Sequence, residues 1–179
     1  MTRSLIAYYS RRGKNYFDGK ITDLPVGNTE VVAQKIARAT GGDLFHIEAV
    51  KPYPADYDES TEVAKTELGE NARPELTATV RDFDAYDVIY LGYPIWWGVM
   101  PMPVMTFLEM YDFSGKTIVP FCTHEGSGLG MSERYIRQAC PKASVLPGLA
   151  VIGHLRDKAD RPIDDWMKTN GLILKPTGS

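Results

Sequence analysis

The chain is 179 residues long, 44% hydrophobic and 24% charged, with a net charge of −3. That length suits one well-buried domain, and that charge excludes bulk electrostatic attraction to nucleic acid or to an anionic membrane. No apolar run reaches the roughly 18 to 20 residues of a membrane-spanning helix.

The two cysteines, Cys122 and Cys140, form neither a CxxC nor a metal-ligand spacing, and read as buried thiols. Three isolated histidines add no ligand set, so no metal site is expected. The N-terminus enters an apolar segment without a charged-then-apolar leader, which predicts a cytoplasmic protein. Residues 1–174 are expected to form one domain and residues 175–179 an unstructured end.

Leu5 to Tyr9 is a continuous apolar run of the kind that forms a strand buried on both faces. Residues 11–27 follow as an extra stretch with no element assigned. Residues 28–40 read as a helix with Val32, Ile36 and Ala39 on one stripe, Asn28 as its N-cap and Gly41-Gly42 as its stop. Asp43 to Ala49 is the next strand and Lys51 to Pro54 a loop. Tyr57 to Asn71 is a polar surface helix.

Asp87 to Tyr93 is a clear strand. Pro101 to Tyr111 is a helix, with Val104, Phe107, Leu108 and Tyr111 spaced i, i+3, i+4, i+7 and its prolines in the first turn. Lys116 to Cys122 is a strand and residues 131–139 a helix. Ala143 to Ile152 is the last strand, interrupted at Pro147-Gly148. A C-terminal helix starts at Asp160-Arg161-Pro162, carries Ile163, Trp166 and Met167, and stops at Gly171.

Strands alternating with helices predict an α/β fold, an open parallel sheet with helices on both faces. Such sheets bind ligands at the carboxyl ends of their strands, where the strand order reverses. Three loops fall there. The first holds Ser10, Arg11, Arg12 and Gly13, then Asn28 and Thr29 at a helix start. Free N–H groups at that start can hold an anion, the hydroxyls can donate, and an arginine can add a charge-assisted bond. Neither GxxxxGK[ST] nor GxGxxG is present. A capped helix after an ordinary loop is the plainer alternative.

The second loop is Tyr93-Pro94-Ile95-Trp96-Trp97-Gly98, in which at least one indole is placed near the surface or over a flat ligand, while one could instead plug the space between loop and helix. The third, Thr123-His124-Glu125-Gly126-Ser127-Gly128, has glycines that let backbone approach a ligand. His124 is either a proton carrier or a loop residue at the ligand edge. His46 and His154 read as structural.

In combination, Ser10 to Gly13 with Gly27-Asn28-Thr29, Pro94 to Gly98, and Thr123 to Gly130 resemble the motifs of the flavodoxin family. The resemblance spans about residues 4–170. It implies a flavodoxin-like three-layer sandwich, whose five-stranded parallel sheet has the order 2-1-3-4-5, and noncovalently bound FMN. By that resemblance Ser10, Asn28 and Thr29 would hold the phosphate. Pro94, Ile95, Trp96, Trp97 and Gly98 would cover the ring, with Trp97 or Trp96 stacking. Thr123, His124, Glu125, Gly126, Ser127 and Gly128 would face the ring or its polar edge. The chain departs from the family pattern in two ways. Residues 11–27 split the phosphate motif, so that Asn15 or Asn28 could fill its Asn position, and Arg12 replaces a hydroxyl residue; within the insert, Asn15, Tyr16 and Phe17 either shape the rim of the flavin pocket or pack on the surface.

The function implied is an electron carrier between redox partner proteins, with Asp56, Asp58, Glu59, Glu62 and Glu67 either steering a basic partner or simply facing solvent. The alternatives are an NAD(P)H-dependent FMN oxidoreductase acting on quinones or similar acceptors, and a non-catalytic interaction module.

Overall fold

The computed structural model describes residues 2–172. The expected tail, residues 175–179, lies outside them. Five segments supply a parallel sheet: β1 (Ser4–Tyr8), β4 (Asp43–His46), β5 (Val88–Pro94), β6 (Thr117–His124), and a last strand in two pieces, β7 (Ser144–Val145) and β8 (Leu149–Ile152). Both pieces pair with β6, β7 through Ile118↔Val145 and β8 through Cys122↔Ala150. The expected break at Pro147-Gly148 lies between them, where proline cannot donate to the ladder. The spatial order is β4-β1-β5-β6, then β7 and β8. Counted as five strands, this is 2-1-3-4-5, as expected.

Strand alternation sorts the core into two layers. Leu5, Ala7, Ile89, Leu91 and Ile118 pack beneath α3 (Met102–Met110) and α4 (Ser132–Ala139), around an aromatic cluster centred on Phe107. Ile6, Tyr8, Tyr90, Val119 and Phe121 pack against Val32 and Ile36 of α1 (Asn28–Thr40) and Ile163 and Met167 of α5 (Asp160–Thr169). Gly92 lacks a side chain where Phe121 fills the space, and a Cβ there would overlap its ring. Ile36 is fully buried, so truncating it to Ala costs about 2–5 kcal/mol. β4 ends at His46, three residues short of the expected strand, because the chain leaves the sheet for an isolated bridge between Ala49 and Leu76.

The extra stretch forms an antiparallel hairpin, β2 (Gly13–Phe17) and β3 (Lys20–Leu24). Its turn is Asp18-Gly19, with φ of 51° and 80°. Positive φ at both positions is what a two-residue type I′ hairpin requires. At its base, Gly27 fits against Ser10 and the Arg11 carbonyl, where a Cβ would overlap both. At its tip, Phe17 meets the His154 ring edge-on at 6.3 Å and carries the Arg156 guanidinium over its face at 5.6 Å.

Candidate functional site

The strand order reverses between β1 and β5. From β1 the chain crosses through α1 to β4, and from β4 through α2 (Tyr57–Gly69) back to β5 on the other side. The loops above this point carry the expected residues.

At the end of β1 the Ser10 Oγ accepts the Glu30 N–H at 3.1 Å. It thus caps α1 from outside the helix. Asn28, expected as N-cap, is instead the first helical residue; Gly27 holds the cap position, and no side-chain bond comes from it. Asn28 Oδ1 accepts from Arg156 Nη1 at 3.2 Å. Thr29 is buried, its Oγ1 2.8 Å from the buried Thr123 Oγ1, which ties the start of α1 to the end of β6. Asn15 folds back, its Nδ2 donating to the carbonyls of Arg11 at 2.9 Å and Gly13 at 3.2 Å.

The two arginines are engaged elsewhere. Arg12 forms a forked pair with the buried Glu30 carboxylate, Nη2 to Oε1 at 3.0 Å and Nε to Oε2 at 3.3 Å. Arg11 donates to three carbonyls: Lys14 at 3.2 Å, Pro54 at 2.9 Å and Ala55 at 3.2 Å. It thereby fastens the loop to the start of α2. Of the expected acidic rim, Asp56, Asp58, Glu59 and Glu62 are exposed. Glu67 turns inward, its Oε1 buried without a partner among the described residues.

Trp96 to Val99 form a tight turn, with Trp96 N–H to the Val99 carbonyl at 2.8 Å and the reverse bond at 3.3 Å. Trp97 and Gly98 sit at its centre with φ of 55° and 82°. A left-handed tryptophan costs about 1–2 kcal/mol and needs compensating contacts. Trp97 Nε1 supplies one, donating to the Thr61 carbonyl at 2.8 Å, and the Lys65 ammonium lies over its ring at 5.2 Å. Trp96 is wedged edge-on between Tyr9 and Tyr53. The Gly-rich loop docks on this turn. Met131 N–H donates to the Gly98 carbonyl at 2.8 Å, and Gly130 stands so close that a Cβ would overlap that carbonyl.

Two adjoining cavities open between these loops. One, of about 320 Å³, has a polar side formed by Asn15, Asn28, Thr123, His124, Glu125 and Ser127. Its flatter side is made by Tyr16, Tyr57, Pro94, Ile95 and Trp96. The other, of about 290 Å³, shares Asn15, Tyr57, Ile95 and Trp96 and adds Arg11, Ser60, Thr61, Ala64 and Trp97. Of the two indoles, only Trp96 reaches the first cavity. Ser10, Arg12, Thr29, Gly98, Gly126 and Gly128 shape its loops without lining either space. Tyr16 belongs to the inserted segment, left open by the sequence as pocket rim or surface packing, and here it lines the cavity. Tyr57 was missed: nothing in the sequence marked it within an otherwise polar helix.

Electrostatics distinguish the two histidines here. Burial lowers the pKa of His124, partly offset by Glu125, and its Nδ1 accepts the Gly126 N–H at 2.9 Å. The neutral ring therefore carries its proton on Nε2. His154, read from sequence as structural, joins the Gly-rich loop through Glu125, and the hydrogen bond to that carboxylate raises its pKa. Burial pushes the Cys122 thiol up to about 12, an inert group.

The family profile described as Flavodoxin matches residues 23–170. Among solved structures, a protein of Bacteroides eggerthii assigned as a flavoprotein is 28% identical, with a TM-score of 0.79 over 97% of this chain and 100% of that one. A second, from Bacteroides uniformis, is also 28% identical, with a TM-score of 0.74 over 91% and 98%. A flavoprotein of Lactobacillus acidophilus in complex with FMN is 22% identical, with a TM-score of 0.67 over 93% and 99%. Among curated proteins, none matches the chain.

Proposed function

This chain belongs to the flavodoxin family, and from that premise we propose that it is an FMN-binding redox protein carrying electrons between partner proteins in the cytoplasm. One observation carries the reading. The 320 Å³ cavity at the carboxyl ends of β5 and β6 brings the start of α1, one indole and a polar loop to a single space. The structural relative with bound FMN and the 28% identical relative assigned as a flavoprotein support it.

The residues fit the group. Asn28 begins α1, whose N-terminal dipole and N–H groups favour a phosphate. The Ser10 hydroxyl, which shapes this loop without lining the cavity, has one lone pair on the Glu30 N–H and keeps a proton to give. Pro94, Ile95 and Trp96 offer a flat wall for a ring system. Thr123, Glu125 and Ser127 offer polar atoms to its edge. His124, neutral, holds a proton at Nε2 beside that edge. When bound, FMN supplies one- and two-electron chemistry; the protein sets its orientation and electrostatics. The exposed carboxylates Asp56, Asp58, Glu59 and Glu62 on α2 would attract a basic partner to this end of the molecule.

A second reading, reduction of a small acceptor, is favoured by the adjoining 290 Å³ cavity, which an electron carrier does not need. The spectrum of purified protein with and without added FMN tests the flavin. Oxidation of NADPH by the FMN-loaded protein, with a quinone present, separates the reductase from the carrier.

A further inference from the structure

The second cavity differs from the first in its chemistry. Its walls include the faces or edges of Trp96, Trp97 and Tyr57. None of the residues lining it carries a carboxylate, and its one charged group is the Arg11 guanidinium. The three bonds of Arg11 all go to neutral carbonyls, from Nε and Nη2. Among the described residues it forms no ion pair, and Nη1 makes no hydrogen bond.

A half-buried cation with only carbonyl partners is costly, and burial accordingly lowers the Arg11 pKa. Asp56 acts on it from a distance, its Oδ2 being taken by the Glu59 N–H. A second cation, Lys65, lies over the Trp97 ring. Trp97 itself is held in a strained backbone conformation by the turn and by Thr61. Strain maintained by surrounding contacts is typical of ligand clamps.

We propose that the cavity between Trp97, Tyr57 and Arg11 is a second ligand site, which takes a planar aromatic anion with its carboxylate or sulfonate on Arg11 Nη1. The ring lies against the aromatic walls, where offset or edge-on contacts are favourable. The anion pairs the free end of the guanidinium in a partly desolvated setting, where charge-assisted bonds are strong. A space of this volume suits a small compound of one or two rings. The inference rests on the neighbouring cavity being the flavin's, since that leaves this one open.

The test is calorimetric titration of FMN-loaded protein with 2-naphthoate and with naphthalene-2-carboxamide, which has nearly the same shape without the charge. The naphthoate should bind at least tenfold more tightly than the amide. Arg11→Gln should abolish that preference. Thr61→Trp, which fills the cavity from α2, should abolish binding of both while the flavin spectrum stays that of the bound form. If Arg11→Gln fails to fold, Thr61→Trp still decides. Equal binding of the two probes, undiminished naphthoate binding by Thr61→Trp, or release of FMN by naphthoate would each overturn the proposal. Should the protein take up no FMN, the flavin reading fails by itself, and the same pair of probes on flavin-free protein still tests the anion site.

Discussion

Glu125 grips His154 twice: its Oε1 accepts the His154 backbone N–H at 3.0 Å, and its Oε2 lies 2.7 Å from Nδ1. The contact locks the Gly-rich loop after β6 to the end of β8. Gly153 makes it possible, because a Cβ there would collide with both Glu125 and Asn28. On the far side of the imidazole, Asp18 at the hairpin tip stands 3.7 Å from Nε2. A single ring thus links the Gly-rich loop of the site to the β2–β3 hairpin.

This link should make the hairpin pH-dependent. The carboxylate of Glu125, through its hydrogen bond, and that of Asp18 raise the His154 pKa above its ordinary 6.5. The folded state therefore holds this proton more tightly than the unfolded chain. The stabilisation is complete below the ordinary value and is lost as pH rises through the folded one. His124 works in the opposite sense: its lowered pKa makes protonation favour unfolding, so its contribution is lost as pH falls. Because the two oppose, a bulk melting curve mixes them. NMR titration of each ring resolves them, with His154 expected above 6.5 and His124 below. Glu125→Gln should move His154 downward, and an unchanged value would show that the pair does not form.

Ser10→Ala should have two separable effects. The helix loses its external cap at Glu30, which costs about 1 kcal/mol of stability. FMN loses a donor for its phosphate, whereas riboflavin has no phosphate to lose. Affinity for FMN should fall and affinity for riboflavin should hold, as read by quenching of flavin fluorescence. An equal loss for both would place Ser10 in a structural role alone.

Most of the fold was legible because its strands are continuous apolar runs. Leu5 to Tyr8 and Ile89 to Tyr93 are buried on both faces, and a short continuous apolar run bounded by turn signals is the mark of such a strand. The β2–β3 hairpin was not legible by that criterion. Lys14, Tyr16, Lys20 and Ile21 are exposed, so no apolar face marks it. Its one local signal, Asp18-Gly19, is a matter of turn chemistry rather than hydrophobicity. The loops of the site were identified by composition, but their partners were not. Nothing in sequence distance pairs Arg12 with Glu30 or Glu125 with His154, since those contacts exist only once the sheet has set the loops side by side.

The two tryptophans should behave differently. Trp96 lines the cavity assigned to the flavin, so Trp96→Ala should weaken FMN binding by about tenfold or more, the scale of one lost stacking contact of roughly 1–3 kcal/mol. Trp97 lines only the adjoining space. Trp97→Gly relieves a left-handed backbone worth about 1–2 kcal/mol while losing the bond to Thr61, so stability should change little. FMN affinity should stay within about threefold. Titration of both variants with FMN checks this, and the reverse ranking would assign the ring to Trp97.

Arg12→Ala tests what the forked pair with Glu30 contributes. Glu30 is 5% exposed and sits in the first turn of α1, where a carboxylate also suits the helix dipole. Its other contact is the Tyr8 hydroxyl at 3.5 Å, a weak one, and burial with Glu30 alongside pushes that phenol up to about 12. Removing Arg12 leaves the carboxylate buried with little compensation. Loss of one partner from a fully buried pair costs about 3–5 kcal/mol. Here the arginine side chain is 63% exposed, and solvent already screens the pair. The expected loss is therefore only a fraction of that, read as a lowered midpoint of urea unfolding. Glu30→Gln should cost less than Arg12→Ala, because the amide keeps a bond to Arg12 and leaves no buried charge. The opposite order would mean that the helix dipole, rather than the arginine, is what holds Glu30 in place.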